Sequence, residues 1–149
     1  MASIHENIMR AVQRGIRALK LDGLPDAKVL IGKIPDEKKL ADAAPVVMIA
    51  PFGQKTVVQS TNREDDIGYG VVVVVVEASD GTQLTNRRRH LEWVELIGNE
   101  FYTRRLDDVD ECWGCDVVSD AVFDFAAFQN KLDLSYTAFR FKTRETRNT

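Results

Sequence analysis

Tyr69-Gly70-Val71-Val72-Val73-Val74-Val75-Val76-Glu77-Ala78 is the stretch that decides how this chain folds. Six consecutive β-branched residues favour extended backbone, where their stiff side chains pack well on a pleated surface. At ~3.3 Å per residue the six valines make ~20 Å of strand. A half-exposed strand alternates apolar and polar residues; this one does not, so both of its faces need cover. Left bare, the run would be an aggregation hazard, being β-branched, uncharged and free of proline.

Two other stretches can supply part of that cover. Ser3-x-x-Glu6 reads as a capping box, in which the serine accepts from the Glu6 N–H and the Glu6 carboxylate reaches back. After it Ile4, Ile8, Val12, Ile16 and Leu19 fall on one stripe, with Arg10, Arg14, Arg17 and Lys20 elsewhere. This predicts a helix that Asp22-Gly23 and Pro25 bring to an end. A second helix is expected over about residues 85–105, with Leu91, Val94, Ile97 and Phe101 as its apolar stripe, joined by Trp93, Leu96 and Tyr102. Two stripes cover one face of a sheet. The other face, carried by either Val71, Val73 and Val75 or Val72, Val74 and Val76, is expected against other strands, the long arm or a neighbouring subunit.

Further strands are expected over residues 28–34, over 46–50 between Pro45 and Pro51, over 110–119 and over 132–142. Residues 123–128 read as a loop or a turn of helix, and residues 143–149 as a frayed polar tail. Residues 51–70 form a long connection with a weak strand at 55–59 and a turn-like acidic patch, Asn62-Arg63-Glu64-Asp65-Asp66. Such a length in a compact domain suits a long hairpin-like arm. Helices and strands do not alternate regularly, which argues against a doubly wound parallel sheet. The expectation is an α+β fold in a single domain over residues 1–149: a mainly antiparallel twisted sheet with two helices packed on one face, plus the arm.

The bulk numbers exclude several classes. Hydrophobic residues make up 44% and charged residues 29%, an ordinary globular balance. With 149 residues the chain can bury roughly 70% of its unfolded surface, enough for its own core. A net charge of −3 argues against a protein held to nucleic acid mainly by phosphate neutralisation. No signal peptide and no apolar run of membrane-spanning length is present, which implies folding in a cytoplasm.

The candidate chemistry is thin. Cys112-Trp113-Gly114-Cys115 could be redox-active or metal-binding, but acidic residues precede it and a strand pattern follows. A structural pair is the reading that context favours. Asp107, Asp108, Asp110 and Glu111 fit a solvated turn better than a calcium loop. No Walker loop, G-x-G-x-x-G, G-x-S-x-G or H-E-x-x-H occurs. With His5 and His90 as the two histidines, one on each helix, a serine triad looks hard to build. No catalytic, cofactor or metal residues are assigned. Arg87-Arg88-Arg89-His90 opens the second helix at the end where cations are disfavoured, which suits contact with an acidic partner.

In its organisation the chain resembles the tail terminator, or tail completion, proteins of tailed bacteriophages and related neck and minor tail proteins. The resemblance rests on the N-terminal amphipathic helix, on Pro45-Val46-Val47-Met48-Ile49-Ala50-Pro51, and on the acidic arm leading into Tyr69-Gly70 and the valines. It continues through His90-Leu91-Glu92-Trp93-Val94-Glu95-Leu96-Ile97 and Phe101-Tyr102-Thr103-Arg104-Arg105-Leu106 to Leu134-Ser135-Tyr136-Thr137-Ala138-Phe139-Arg140-Phe141. The cysteine pair lies outside it. The resemblance implies a virion structural protein: a homo-hexameric ring that caps the tail tube and meets the head–tail connector or stopper, with no cofactor, no membrane and no specific nucleic acid. The residues add candidates for the subunit interface. Glu64, Asp65 and Asp66 of one subunit would meet Arg87, Arg88 and Arg89 of the next. The alternatives are a small nucleic-acid- or protein-binding module using Arg87–Arg89, Arg104 and Arg105, or a cysteine-based metal or redox domain.

Overall fold

The computed structural model describes residues 3–32, 44–53, 56–59, 63–78, 84–102, 106, 109–123 and 132–146; for residues 56, 58–59, 78, 84–88, 119–123 and 132–133 it describes the backbone alone. The valines lie inside a strand longer than their own run, β4 (Glu64–Ala78). β6 (Leu132–Thr146) pairs with it over its whole length, from Glu64↔Thr146 to Ala78↔Leu132. The other edge of β4 is shared end to end. β2 (Val46–Pro51) pairs with Val71–Val76, and β3 (Thr56–Gln59) pairs with Asp65–Gly68. β1 (Val29–Ile31) lies parallel to β2, and β5 (Cys112–Phe123) antiparallel to β6, giving the order β1-β2-β4-β6-β5. The sheet is mostly antiparallel with one parallel pair, and among the described residues two α-helices pack with it in an α+β fold.

The helices are α1 (Ile4–Ala18) and α2 (Leu84–Phe101). Ser3 caps α1 by accepting from the Glu6 N–H at 3.1 Å. The Glu6 carboxylate does not reach back, as a full capping box requires; it accepts from Arg10 at 2.9 Å instead. α1 ends before Asp22, where Lys20 takes a positive φ of 51°. On α2, Trp93, Val94, Ile97 and Phe101 are buried, whereas Leu91, Leu96 and Tyr102, expected beside them, face outward.

Odd-numbered β4 residues face the helices. Ile67, Tyr69, Val71, Val73 and Val75 share one core with Ile8, Val12, Ile16, Trp93 and Phe139. The even-numbered set, Val72, Val74 and Val76, is buried on the opposite face with Val46, Met48, Ala50 and Leu134. Both faces are therefore buried within one chain. A neighbouring subunit, raised by the sequence as one possible cover, is not needed for that burial.

Four sequence expectations change. Glu64, Asp65 and Asp66 are not a turn but the start of β4, held by β3 on one side and β6 on the other. Thr143–Thr146, expected as tail, extend β6: the Thr143 hydroxyl donates to Ile67 O at 3.3 Å, and Arg144 pairs with Asp66. Phe123 closes β5 rather than opening a loop. The first strand is three residues, Val29–Ile31, shorter than expected. Residues 35–43, 79–83 and 124–131 lie outside the described residues, as do Asp107 and Asp108.

The arm is a continuation of the sheet. The pairing along this edge of β4 passes from Pro51↔Val71 to Thr56↔Gly68 across Tyr69 and Gly70. The Phe52 N–H donates to Gly70 O at 2.9 Å, and a Cβ on Gly70 would collide with the Phe52 carbonyl. The His5 ring, bonded to the same Gly70 carbonyl at 2.9 Å, ties α1 to this point. Gly70→Ala should therefore lower unfolding stability by about 1–3 kcal/mol in urea titrations, the usual cost of overpacking; an unchanged midpoint would contradict this reading.

Candidate assembly interface

β4 carries the two charged candidates at its two ends. Glu64 and Glu77 are thirteen steps apart in sequence, which at ~3.3 Å per residue is about 40 Å of strand. The acidic and basic clusters therefore cannot meet inside one subunit.

At the acidic end, Asp66 accepts from Arg144 Nε at 3.0 Å, directly across the β4–β6 pairing. Asp66 raises the pKa of the Arg144 guanidinium by that hydrogen bond and by its charge. Glu64, Asp110, Glu111, Trp113 and Arg144 line a shallow groove, so Asp110 and Glu111, read as a separate solvated turn, join the acidic arm. Trp113 is 50% exposed, with Lys142 Nζ 5.1 Å from its ring centre. Sequence reasoning passed over this tryptophan as the filler of a C-x-x-C motif. Buried or half-buried tryptophans carry much of the binding energy at protein interfaces, which makes its exposure notable.

The basic end is built differently. The backbone of Arg87 and Arg88 lies in the first turns of α2; their side chains lie outside the described residues. Arg89 turns inward. Its Nε and Nη2 donate to Glu77 Oε2 at 3.1 and 2.7 Å, its guanidinium lies 5.0 Å over Trp93, and it packs against Gly23. Glu77 is 1% exposed, a buried carboxylate that needs a cation. Arg104 and Arg105 lie outside the described residues.

Beside this pair, His90 Nε2 lies 2.7 Å from Ser135 Oγ, and His90 Nδ1 lies 3.9 Å from Glu77 Oε1. The serine–histidine–carboxylate line that looked hard to build from sequence is thus only partly assembled, because the 3.9 Å His90–Glu77 separation is beyond a hydrogen bond. Its members are 0–2% exposed, and neither described surface groove reaches them. A nucleophile needs room for a reacting atom beside it. The line is a polar network in the core, closing the sheet–helix layer at the end of β4.

The cysteines also face the core. In a regular strand, residues three apart point to opposite faces. Here the register shifts by one between Cys112↔Thr143 and Gly114↔Lys142, so Trp113 is the extra residue of a β-bulge. The bulge puts both thiols inside and the indole outside. Both cysteines are free and buried. Burial, then the Cys112 and Asp116 charges, push the Cys115 thiol up to about 12, against the weaker opposing effect of Lys142. Among the described residues, no group of three or more His, Cys, Asp or Glu is placed to hold a metal ion.

No protein-family model matches the chain, and no curated protein matches it. Solved structures do match it. A chain of the "Virion of native gene transfer agent (GTA) particle" superposes with a TM-score of 0.66 at 15% sequence identity, over 97% of this chain and 100% of that one. The two share a fold from end to end.

Arg89→Ala leaves Glu77 buried without its cation and should cost about 3–5 kcal/mol in denaturant unfolding; a loss no larger than that of a surface substitution would show the pair to be dispensable. At pH 8 the raised pKa leaves Cys115 almost wholly as thiol, the poor nucleophile of the couple. Aromatic disulfide reagents should react with the native protein much more slowly than with the unfolded chain, which exposes both thiols. Rapid labelling of native Cys115 would contradict its placement.

Proposed function

We propose that this protein is a structural subunit of a phage-like virion, and within it a tail terminator: a homo-hexameric ring that caps the tail tube and joins it to the head connector. The observation that carries the reading is the end-to-end fold likeness to a virion chain. It agrees with the resemblance in sequence organisation. It also agrees with the chemistry of the surface, which offers charged and aromatic contact sites while the polar groups that could do acid–base work are sealed in the core. No second reading gains support, because Arg89, a central cation of the nucleic-acid alternative, is occupied by Glu77.

In this reading the acidic end of β4 on one subunit meets the basic start of α2 on the next. The 40 Å scale of their separation makes the contact intermolecular, and a head-to-tail contact that closes on itself makes a ring. Arg87 and Arg88 supply the contact, while Arg89 stays on Glu77.

A tail terminator stops tube growth. Added to polymerising tail tube protein, this chain should shorten the tubes in proportion to its concentration, and tubes that lengthen regardless would remove the terminator assignment. Reversing both Arg87 and Arg88 to Glu should weaken self-association in sedimentation runs by about tenfold or more, the scale of close interfacial charge pairs. Unchanged sedimentation would leave the ring without this contact.

A further inference from the structure

The sheet has two lateral flanks, and they differ in charge. On one, α2 lies over β5, and Leu91, Val94, Glu95, Gly98, Tyr102 and Val117 line a groove between them. Leu91 is 56% and Tyr102 59% exposed, large apolar area for a surface. Gly98 leaves a notch between them. Glu95 lines the groove, Glu92 is exposed one turn before it on α2, and neither makes an ion pair among the described residues. On the other flank α1 lies over β1, where Gln13 and Arg17 donate to Val29 O at 2.8 and 3.1 Å. Its outward stripe carries Arg10 and Arg14, and β1 adds the exposed Leu30. Arg10 is engaged with Glu6, but through an exposed i,i+4 pair of the kind worth only a few tenths of a kcal/mol.

We infer that the α2/β5 groove is the docking site for the α1/β1 flank of a second copy of this chain, with Glu92 and Glu95 against Arg10 and Arg14. The inference rests on the proposed ring and names the lateral contact that would build it. Charge complementarity selects the occupant, because the flank facing the acidic groove in a head-to-tail array is the basic one. The edge of β5 selects the mode. Register shifts near Trp113, near Val118 and again before Val122 interrupt its ladder with β6 and so bend this edge strand. Bulges of this kind blunt an edge against strand addition. β1, at three residues, is too short to template a strand. The copies therefore meet through helix and groove rather than by continuing the sheet.

The test is a charge swap read by sedimentation equilibrium of the full chain, with circular dichroism confirming the fold. Glu95→Arg and Arg14→Glu each lie on the exposed surface and should each weaken self-association about tenfold or more. The chain carrying both substitutions, and an equimolar mixture of the two single variants, should recover association to within about threefold of wild type. Leu91→Asp should weaken association without recovery by either swap. The inference is overturned if wild type stays monomeric up to about 1 mM, if the single reversals associate normally, or if the swap does not rescue. Its failure and that of the terminator reading are separable: a chain that shortens tail tubes but is indifferent to these reversals loses only the flank contact. A chain that self-associates here but leaves tube growth unchanged loses only the terminator role.

Discussion

The rest of the molecule depends on the burial of β4. Val71, Val73 and Val75 meet the helices, Val72, Val74 and Val76 form a second apolar layer with Val46, Met48, Ala50 and Leu134 on the opposite face of the sheet, and the backbone of all six is paired on both edges. A strand so enclosed has no freedom to slip, since a shift of one residue would exchange its two faces and set Glu77 among the apolar residues of the second layer. Fixing β4 fixes where everything attached to its ends must sit.

Those ends are polar, and each is pinned. At one, Glu77 is held by Arg89 beside the His90–Ser135 contact, so the start of α2 is tied to the sheet. Toward the other, the Tyr69 hydroxyl donates to Glu145 at 2.8 Å and stands beside the His5 ring, which ties β4 to β6 and α1. Burial and the Glu145 contact raise the Tyr69 pKa, so the phenol remains a donor. The strand thus acts as a rigid rod with an acidic, tryptophan-bearing end and a basic end. In the proposed ring such a rod would hold the contact residues in place before assembly, which lowers the ordering cost of association.

Much of this was legible in the sequence because it follows from local pattern. The six valines, the α1 stripe and the proline-bounded β2 each carry their own period. What was illegible depended on long-range pairing or on irregularity. The acidic patch has turn-like composition, yet Glu64–Asp66 become strand because Arg144, Glu145 and Thr146 arrive from about eighty residues away to pair with them. Trp113 is exposed and the cysteines are buried because of one bulge, which no period reveals. The core position of His90 depends on Glu77 and Ser135, neither of which is near it in sequence. The apolar stripe read over residues 91–102 includes Leu91, with Leu96 and Tyr102 beside it, but the buried stripe is Trp93, Val94, Ile97 and Phe101, and Leu91, Leu96 and Tyr102 fall outside it.

The account's central claim is that this chain works as one member of a closed ring at the end of a tail tube. Cryo-electron microscopy of the purified protein mixed with tail tubes tests it most directly. The account expects a six-fold ring of density at one end of each tube, with the α2/β5 groove of every subunit covered by its neighbour. Bare tube ends beside monomers, or a ring in which that groove faces solvent all round, would contradict it.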